Sequence, residues 1–138
     1  MMLLESVGWL NFHPSHRLEK SQAQTGLENS VVFVAENNGN PVGITRIVTD
    51  GGYIAIIADV IVHPDYQGKG IGRALMQRAV DSLVDGLPAG SCINISVMSA
   101  KGKEGFYEKF GFVKRPNEVY GNGMSLFYNF VTPGNEGS

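Results

Sequence analysis

The stretch Asp59-Val-Ile-Val-His-Pro-Asp-Tyr-Gln-Gly-Lys-Gly-Ile-Gly-Arg73 carries an apolar strand into a glycine-rich turn and straight on into a helix. A turn of that composition leaves backbone N–H groups aimed outward, with nothing bulky to block approach. The helix that follows adds its own unpaired donors and the positive end of its dipole. Together they make a site for a phosphate or pyrophosphate. The spacing is not that of a P-loop, because Lys69 is followed by Gly70 with no hydroxyl residue in register. Nor is it a dinucleotide fingerprint, since Arg73 stands where the third glycine of G-x-G-x-x-G belongs when counted from Gly68. What fits is Q-x-x-G-x-G, read as Gln67, Gly70 and Gly72.

With V-x-P-x-Y-Q-G-K-G-I-G around it, that pattern resembles the acetyl-coenzyme A (acetyl-CoA) loop of the GCN5-related N-acetyltransferases, the GNAT family. A second segment agrees independently. Lys103-Glu-Gly-Phe-Tyr-Glu-Lys-Phe-Gly-Phe112 is similar to the F-Y-x-x-x-G-F signature that follows the fifth strand of the same family. Read on its own, it is a short helix ended by Gly111, the residue best able to take the left-handed conformation there. Phe106 and Phe110 share one face at i, i+4 spacing, and Tyr107 lies about 100° around from them. The resemblance covers residues 30 to 130, and Asp59-Val-Ile-Val and Gly123-Met-Ser-Leu-Phe-Tyr128 are further similar to the amine-acetylating subgroup of plant serotonin N-acetyltransferase-like proteins.

The resemblance implies cofactor contacts at Val60, Ile61, Val62, Gln67, Gly68, Lys69, Gly70, Ile71, Gly72, Arg73, Phe106 and Tyr107. Backbone N–H groups of residues 68 to 72 hold the pyrophosphate. Gln67 helps by a side-chain contact or by shaping the loop. Lys69 and Arg73 are either charge-assisted ligands or solvated surface cations. The side chains of Val60, Ile61 and Val62 read as core, while their backbone groups meet the pantetheine arm, and the N–H of Ile61 or a neighbour polarises the acetyl carbonyl.

Tyr107 is the candidate general acid for the departing thiolate, a task suited to a phenol (ordinary phenol and thiol pKa values are about 10 and 8.5). Against that stands a Tyr that only packs its ring. Asp59 is the candidate base for the substrate ammonium. A carboxylate within an apolar strand needs a reason, and rival reasons are a hydrogen bond to a neighbouring loop or recognition of a cationic amine without proton transfer. His63 or a water chain could serve instead. An asparagine that the family often places late in the fifth strand is displaced here, with Asn94 early and Ser99 at the end.

These groups need elements to position them. Residues 2–10 and 16–26 read as one or two helices, with His13-Pro14 as a break, Trp9 as a core anchor and His16 near the acceptor side. Residues 31–36 and 42–49 form a hairpin across Asn37-Asn-Gly-Asn-Pro41. Asp50-Gly-Gly52 is a second turn, and residues 53–62 form a long apolar strand covered on both faces. A helix over residues 71–84 buries Ile71, Leu75, Ala79 and Leu83. Residues 93–98 are a further strand that begins with a buried, inert Cys92, and residues 124–130 are a final strand. The strand–helix–strand unit implies a parallel pair beside antiparallel strands, hence a three-layer α/β (α+β) fold with a mixed sheet. The resemblance refines this to the α/β/α acyl-CoA N-acyltransferase fold, mostly antiparallel and splayed between its two parallel central strands.

Of 138 residues, 43% are hydrophobic and 17% charged, enough for one core and one domain over residues 1–131 with a tail over 132–138. A net charge of −2 gives no basic field for nucleic acid or an anionic membrane. One cysteine forms no internal disulfide, and no Cys/His cluster suggests a metal. With no apolar run of spanning length and no signal peptide at the start, the expectation is a cytoplasmic protein. The expected function is direct acetyl transfer from acetyl-CoA to a small cationic amine. The alternatives are a non-catalytic CoA-binding module and an acetyltransferase for a protein or peptide amine. The apolar residues 124–130 would make an edge for a homodimer.

Overall fold

The computed structural model describes residues 19–126. The expected helix over residues 2–10, Trp9, His13, His16, the end of the last strand and the tail lie outside them. The chain divides into two compact units, Met1–Met98 and Ser99–Ser138.

In the first unit, helix α1 (Lys20–Glu28) leads into strands β1 (Val31–Asn37), β2 (Asn40–Thr49) and β3 (Ile54–Val62). A 3-10 turn (Pro64–Tyr66), helix α2 (Ile71–Val84) and strand β4 (Asn94–Val97) follow. The sheet order is β1-β2-β3-β4, with the first two pairings antiparallel and the last parallel. The first hairpin turns on Asn38 and Gly39, both at positive φ, as a two-residue turn matching strand twist requires. In the second, Asp50 Oδ1 accepts from the N–H of Gly52 at 2.7 Å and of Ile54 at 3.2 Å.

The two helices cover opposite faces. Leu27 of α1 packs with Val32, Ile44 and Ile61. On the other face α2 comes so close to β2 that a Cβ on Gly43 would sit 3.0 Å from both Ile71 and Leu75 side chains. Along α2 the buried residues are Leu75, Met76 and Ala79, so Met76 takes the place expected of Ile71 and Leu83, which are half-buried. Ile71 and Leu83 lie in the first and last turns of the helix, whereas Met76 sits in its middle, over the sheet. Thr45 is fully buried and satisfied, donating to the Asp59 carbonyl at 2.9 Å.

Three expectations change. The strand at residues 53–62 forms, but Ile54 and Ile56 are exposed, so its first half is covered on one face only. β4 is shorter than residues 93–98, and Cys92 precedes it and is exposed rather than buried. Met124 and Leu126 are exposed and residues 124–126 carry no strand pairing. The second unit holds helix α3 (Glu104–Glu108), closed at Gly111 by a φ of 94° and an N–H donated to the Glu108 carbonyl.

Candidate functional site

Strand β3 outruns its parallel neighbour. β4 pairs with Ile54, Ala55, Ile56 and Ile57 only, so from Ala58 to Val62 the β4 side of β3 has no strand partner among the described residues. The expected splay is therefore present. The ladder on the other side decides which groups face it. His63 donates its N–H to the Val42 carbonyl at 2.8 Å, and Ile61 stands opposite Ile44. In an antiparallel pair the hydrogen-bonded positions alternate, so His63, Ile61 and Asp59 turn their backbone groups to β2. The polar groups of Val60 and Val62 then point to the open edge. The candidate for polarising a carbonyl passes from Ile61 to these neighbours.

The glycine turn begins where that edge ends. Gln67 Nε2 donates to the Val62 carbonyl at 2.9 Å, so the glutamine shapes the loop. Gly68 and Gly70 follow at φ 78° and 84°, with open space where their Cβ atoms would stand. Only glycine takes this conformation at little cost. Gly70 is the N-cap of α2 and offers no side-chain acceptor, and the first intrahelical bond runs from Ala74 N–H to the Gly70 carbonyl at 3.1 Å. The N–H groups of Ile71, Gly72 and Arg73 are thus left without helical acceptors, at the positive end of a fourteen-residue helix whose first turn holds no acid. Lys69 and Arg73 are exposed beside them. These residues fit a pyrophosphate.

Asp59 has a strong partner. Arg46 Nε donates to Asp59 Oδ2 at 2.6 Å, with both side chains 17% exposed. Arg46 Nη1 also donates to Ser30 Oγ at 3.1 Å, and Ser30 donates to the Gly26 carbonyl at 2.6 Å. The end of α1 is thereby tied to the middle of the sheet. A bulge makes the pairing. Thr49 to Ile47 pair with Ala55 to Ile57 in one register, but Arg46 lies opposite Asp59, one residue on. Without the extra residue, Arg46 would face Ala58. The carboxylate in this strand is thus held by a hydrogen bond, but from the neighbouring strand rather than from the loop expected.

His63 Nδ1 accepts the N–H of Asp65 at 3.1 Å, which places the neutral ring's proton on Nε2. In that state it caps the 3-10 turn and offers no free lone pair for a proton. Tyr66, in the sequence only a member of the V-x-P-x-Y motif with no role of its own, accepts from Asn37 Nδ2 at 3.0 Å and carries Lys69 Nζ 5.3 Å from its ring centroid.

In the second unit, Tyr107 is half-buried in α3, edge-on to Phe106 at 5.1 Å and to Phe112 at 6.2 Å. Phe106 also packs against Phe110 at 5.6 Å, which realises the expected i, i+4 stripe. The first unit thus brings together Asp59, Val60, Ile61, Val62 and Gln67 to Arg73, while Phe106 and Tyr107 belong to the second. Ser99 Oγ donates to the Ala100 carbonyl at 2.8 Å, and Asn94 accepts weakly from Ser96 at 3.5 Å. No group of three or more His, Cys, Asp or Glu is placed to hold a metal among the described residues. No helix among them is long and apolar enough to cross a membrane.

Comparison with known proteins agrees with this geometry. An uncharacterized N-acetyltransferase, ycf52, of Pyropia yezoensis is 30% identical over 119 residues, covering 86% of this chain and 66% of that protein. Serotonin N-acetyltransferase 2, chloroplastic, of Oryza sativa subsp. japonica is 34% identical over 110 residues, covering 76% of this chain and 53% of the rice protein. The chain therefore spans less than two thirds of the length of these relatives. Among solved structures, a GNAT-family acetyltransferase of Streptococcus pneumoniae TIGR4 superposes with a TM-score of 0.67 at 24% identity, over 94% of this chain and 92% of that one. That likeness establishes the α/β acyl-CoA N-acyltransferase fold. The model of the acetyltransferase (GNAT) domain matches residues 28–114, from the end of α1 to just past α3, and the chain belongs to the GNAT family.

Proposed function

We propose that this chain is an acetyl-CoA-dependent N-acetyltransferase that passes the acetyl group directly to a primary amine, with small cationic amines as the acceptor class. The observation that carries this reading is the meeting of two donor sets at Gln67: the open edge of β3 at Val60 and Val62, and the glycine turn that opens α2. Acetyl-CoA, when bound, supplies a thioester already activated toward an amine. The N–H groups of residues 68–72 hold its pyrophosphate, with Lys69 and Arg73 adding charge-assisted contacts. The N–H and carbonyl of Val60 and the N–H of Val62 hold the amides of the pantetheine arm, and an N–H of that edge polarises the acetyl carbonyl. Tyr107 gives a proton to the departing thiolate, a role that rests on its place in F-Y-x-x-x-G-F. Much of the rate comes from holding both reactants on one sheet.

Asp59 and Arg46 act as a positioning pair on the face covered by α1, and the ammonium proton leaves through water. To take that proton itself, Asp59 would have to loosen a charge-assisted bond to Arg46 worth about 1.5–3 kcal/mol. The pair also cancels most of the field that Asp59 would offer a cation. The preference for a cationic amine is therefore supported by the relative named as a serotonin N-acetyltransferase. The expected cytoplasmic setting belongs to this proposal too, beside a rice relative named as chloroplastic.

The test is thiol release from acetyl-CoA across an amine panel with wild type and Tyr107→Phe. The variant lowers kcat by about 10²–10⁴-fold with little change in acetyl-CoA affinity, as loss of a general acid does. An unchanged kcat would remove Tyr107 from the role.

A further inference from the structure

Tyr66 stands immediately before the glycine turn, at the end of the 3-10 segment. Its hydroxyl accepts from Asn37 Nδ2 at 3.0 Å, across 29 residues of chain, which anchors it to the end of the β1–β2 hairpin. Its N–H donates to the His63 carbonyl at 2.8 Å, and the His63 ring meets it edge-on at 5.9 Å. Above its ring, 5.3 Å from the centroid, lies the ammonium of Lys69, the central residue of Gly68-Lys69-Gly70. The two glycines flanking Lys69 have positive φ and open space where a Cβ would stand, so they contribute no side-chain packing of their own.

We infer that Tyr66 is a positioning residue for the pyrophosphate: it presets the turn and the Lys69 ammonium before the ligand arrives, with Asn37 fixing its ring. A glycine turn left to itself samples many conformations, and ordering it on binding costs affinity. Gln67 fixes only the first residue of the turn, on β3. Tyr66 supplies a second anchor on a different strand, and its ring face attracts the cation at the middle of the turn. The same contact lets Lys69 be drawn off the ring toward a phosphate without rebuilding the loop. This inference rests on the reading of the turn as the pyrophosphate site of an acetyltransferase.

Coenzyme A is titrated calorimetrically into wild type, Tyr66→Phe, Asn37→Ala, the double variant and Tyr66→Ala, with melting temperatures recorded for each. Thiol release is then measured with acetyl-CoA and with acetyl-pantetheine, which lacks the pyrophosphate. Tyr66→Phe keeps the ring and loses the anchor, and is expected to weaken CoA binding about 3–10-fold, as loss of one hydrogen bond does. Asn37→Ala gives the same loss, and the double variant no more than the larger single one, because the two act through one contact. Tyr66→Ala loses the ring as well and weakens binding further. In turnover, KM for acetyl-CoA rises with kcat held, and acetyl-pantetheine kinetics do not change. Unchanged CoA affinity in Tyr66→Phe and Asn37→Ala would overturn the inference, as would equal losses with the two acyl donors or losses that track a fall in melting temperature. Failure of wild type to bind CoA would overturn the acetyltransferase reading itself, a result distinct from wild-type binding that the variants leave untouched.

Discussion

The side-chain amide of Gln67 closes a five-residue span by donating to the carbonyl of Val62 at 2.9 Å, and so joins the last residue of β3 to the turn that opens α2. The strand edge and the helix start, two sets of backbone donors, are held in fixed relation by one hydrogen bond. Gln67→Glu removes the donor and sets a carboxylate against a carbonyl beside the phosphate turn. KM for acetyl-CoA is expected to rise at least about 10-fold, from the lost charge-free bond and the added repulsion together. Gln67→Leu, which only removes the bond, gives a smaller rise. Steady-state kinetics at saturating amine measure both, and a Gln67→Glu enzyme with unchanged KM would contradict this role.

The Arg46–Asp59 pair predicts a non-additive effect on stability. Removing one partner leaves the other charge mostly buried, so Arg46→Met is expected to cost about 3 kcal/mol, reduced by the partial exposure of both groups. Arg46→Met with Asp59→Leu recovers part of that loss, and denaturant melts of the four proteins give the coupling. In turnover, Asp59→Asn keeps at least about a tenth of wild-type kcat, because the carboxylate positions rather than deprotonates. A loss near the 10²–10⁴-fold typical of a missing general base would return proton abstraction to Asp59.

Gly43 predicts a packing limit. It is buried in β2, and a Cβ there meets Ile71 and Leu75 at 3.0 Å and the Ile61 carbonyl at 3.4 Å. Gly43→Val forces α2 off the sheet and costs about 1–3 kcal/mol by overpacking. Because α2 carries the phosphate turn at its start, CoA affinity falls with stability. A melting temperature equal to that of wild type would show that the helix yields without cost.

Asp50 predicts a pH dependence. Hydrogen bonds from the Gly52 and Ile54 N–H groups hold its carboxyl below the ordinary value of 3.8. A folded-state pKa that is depressed gives stability present above the unfolded-state value, and this stability is lost as pH falls through the folded-state value. The contribution is therefore full at neutral pH, begins to fall near the ordinary value of 3.8 and is lost as pH drops through the lower folded-state value. Asp50→Asn keeps both acceptor bonds without the charge, so the stability difference between wild type and variant narrows on acidification from about pH 6 to pH 3. Thermal melts across that range would contradict this if the difference stayed constant.

Much of this architecture is legible in the chain because local chemistry specifies it. Asn38-Gly39 dictates a two-residue turn, Gly70 dictates where α2 begins, and Gly111 dictates where α3 ends. The loop could be assigned to phosphate because its glycine spacing reports backbone exposure directly. What was not legible depends on register between separate strands. Asp50-Gly-Gly52 sets a register in which Arg46 faces Ala58, and only the bulge brings Asp59 opposite it. The signal available was opposite charges on two consecutive strands, one residue out of register. Tyr66 was read only as part of a motif because its partner, Asn37, is remote in sequence. Residue type alone points to a buried Cys92, but the strand that Cys92 would open starts two residues later and leaves it exposed.

The proposed activity is transfer of an acetyl group from acetyl-CoA to an amine. The most direct measurement is mass-spectrometric detection of acetylated product after incubating wild type with acetyl-CoA and a panel of arylalkylamines and polyamines, with acidic amines included. The expected product is an N-acetylated cationic amine, formed in proportion to enzyme and in equal amount to released thiol, with product formation suppressed in Gln67→Glu. Tight binding of acetyl-CoA with no acetylated amine anywhere in the panel would contradict it, and selective acetylation of the acidic amines would contradict the acceptor class.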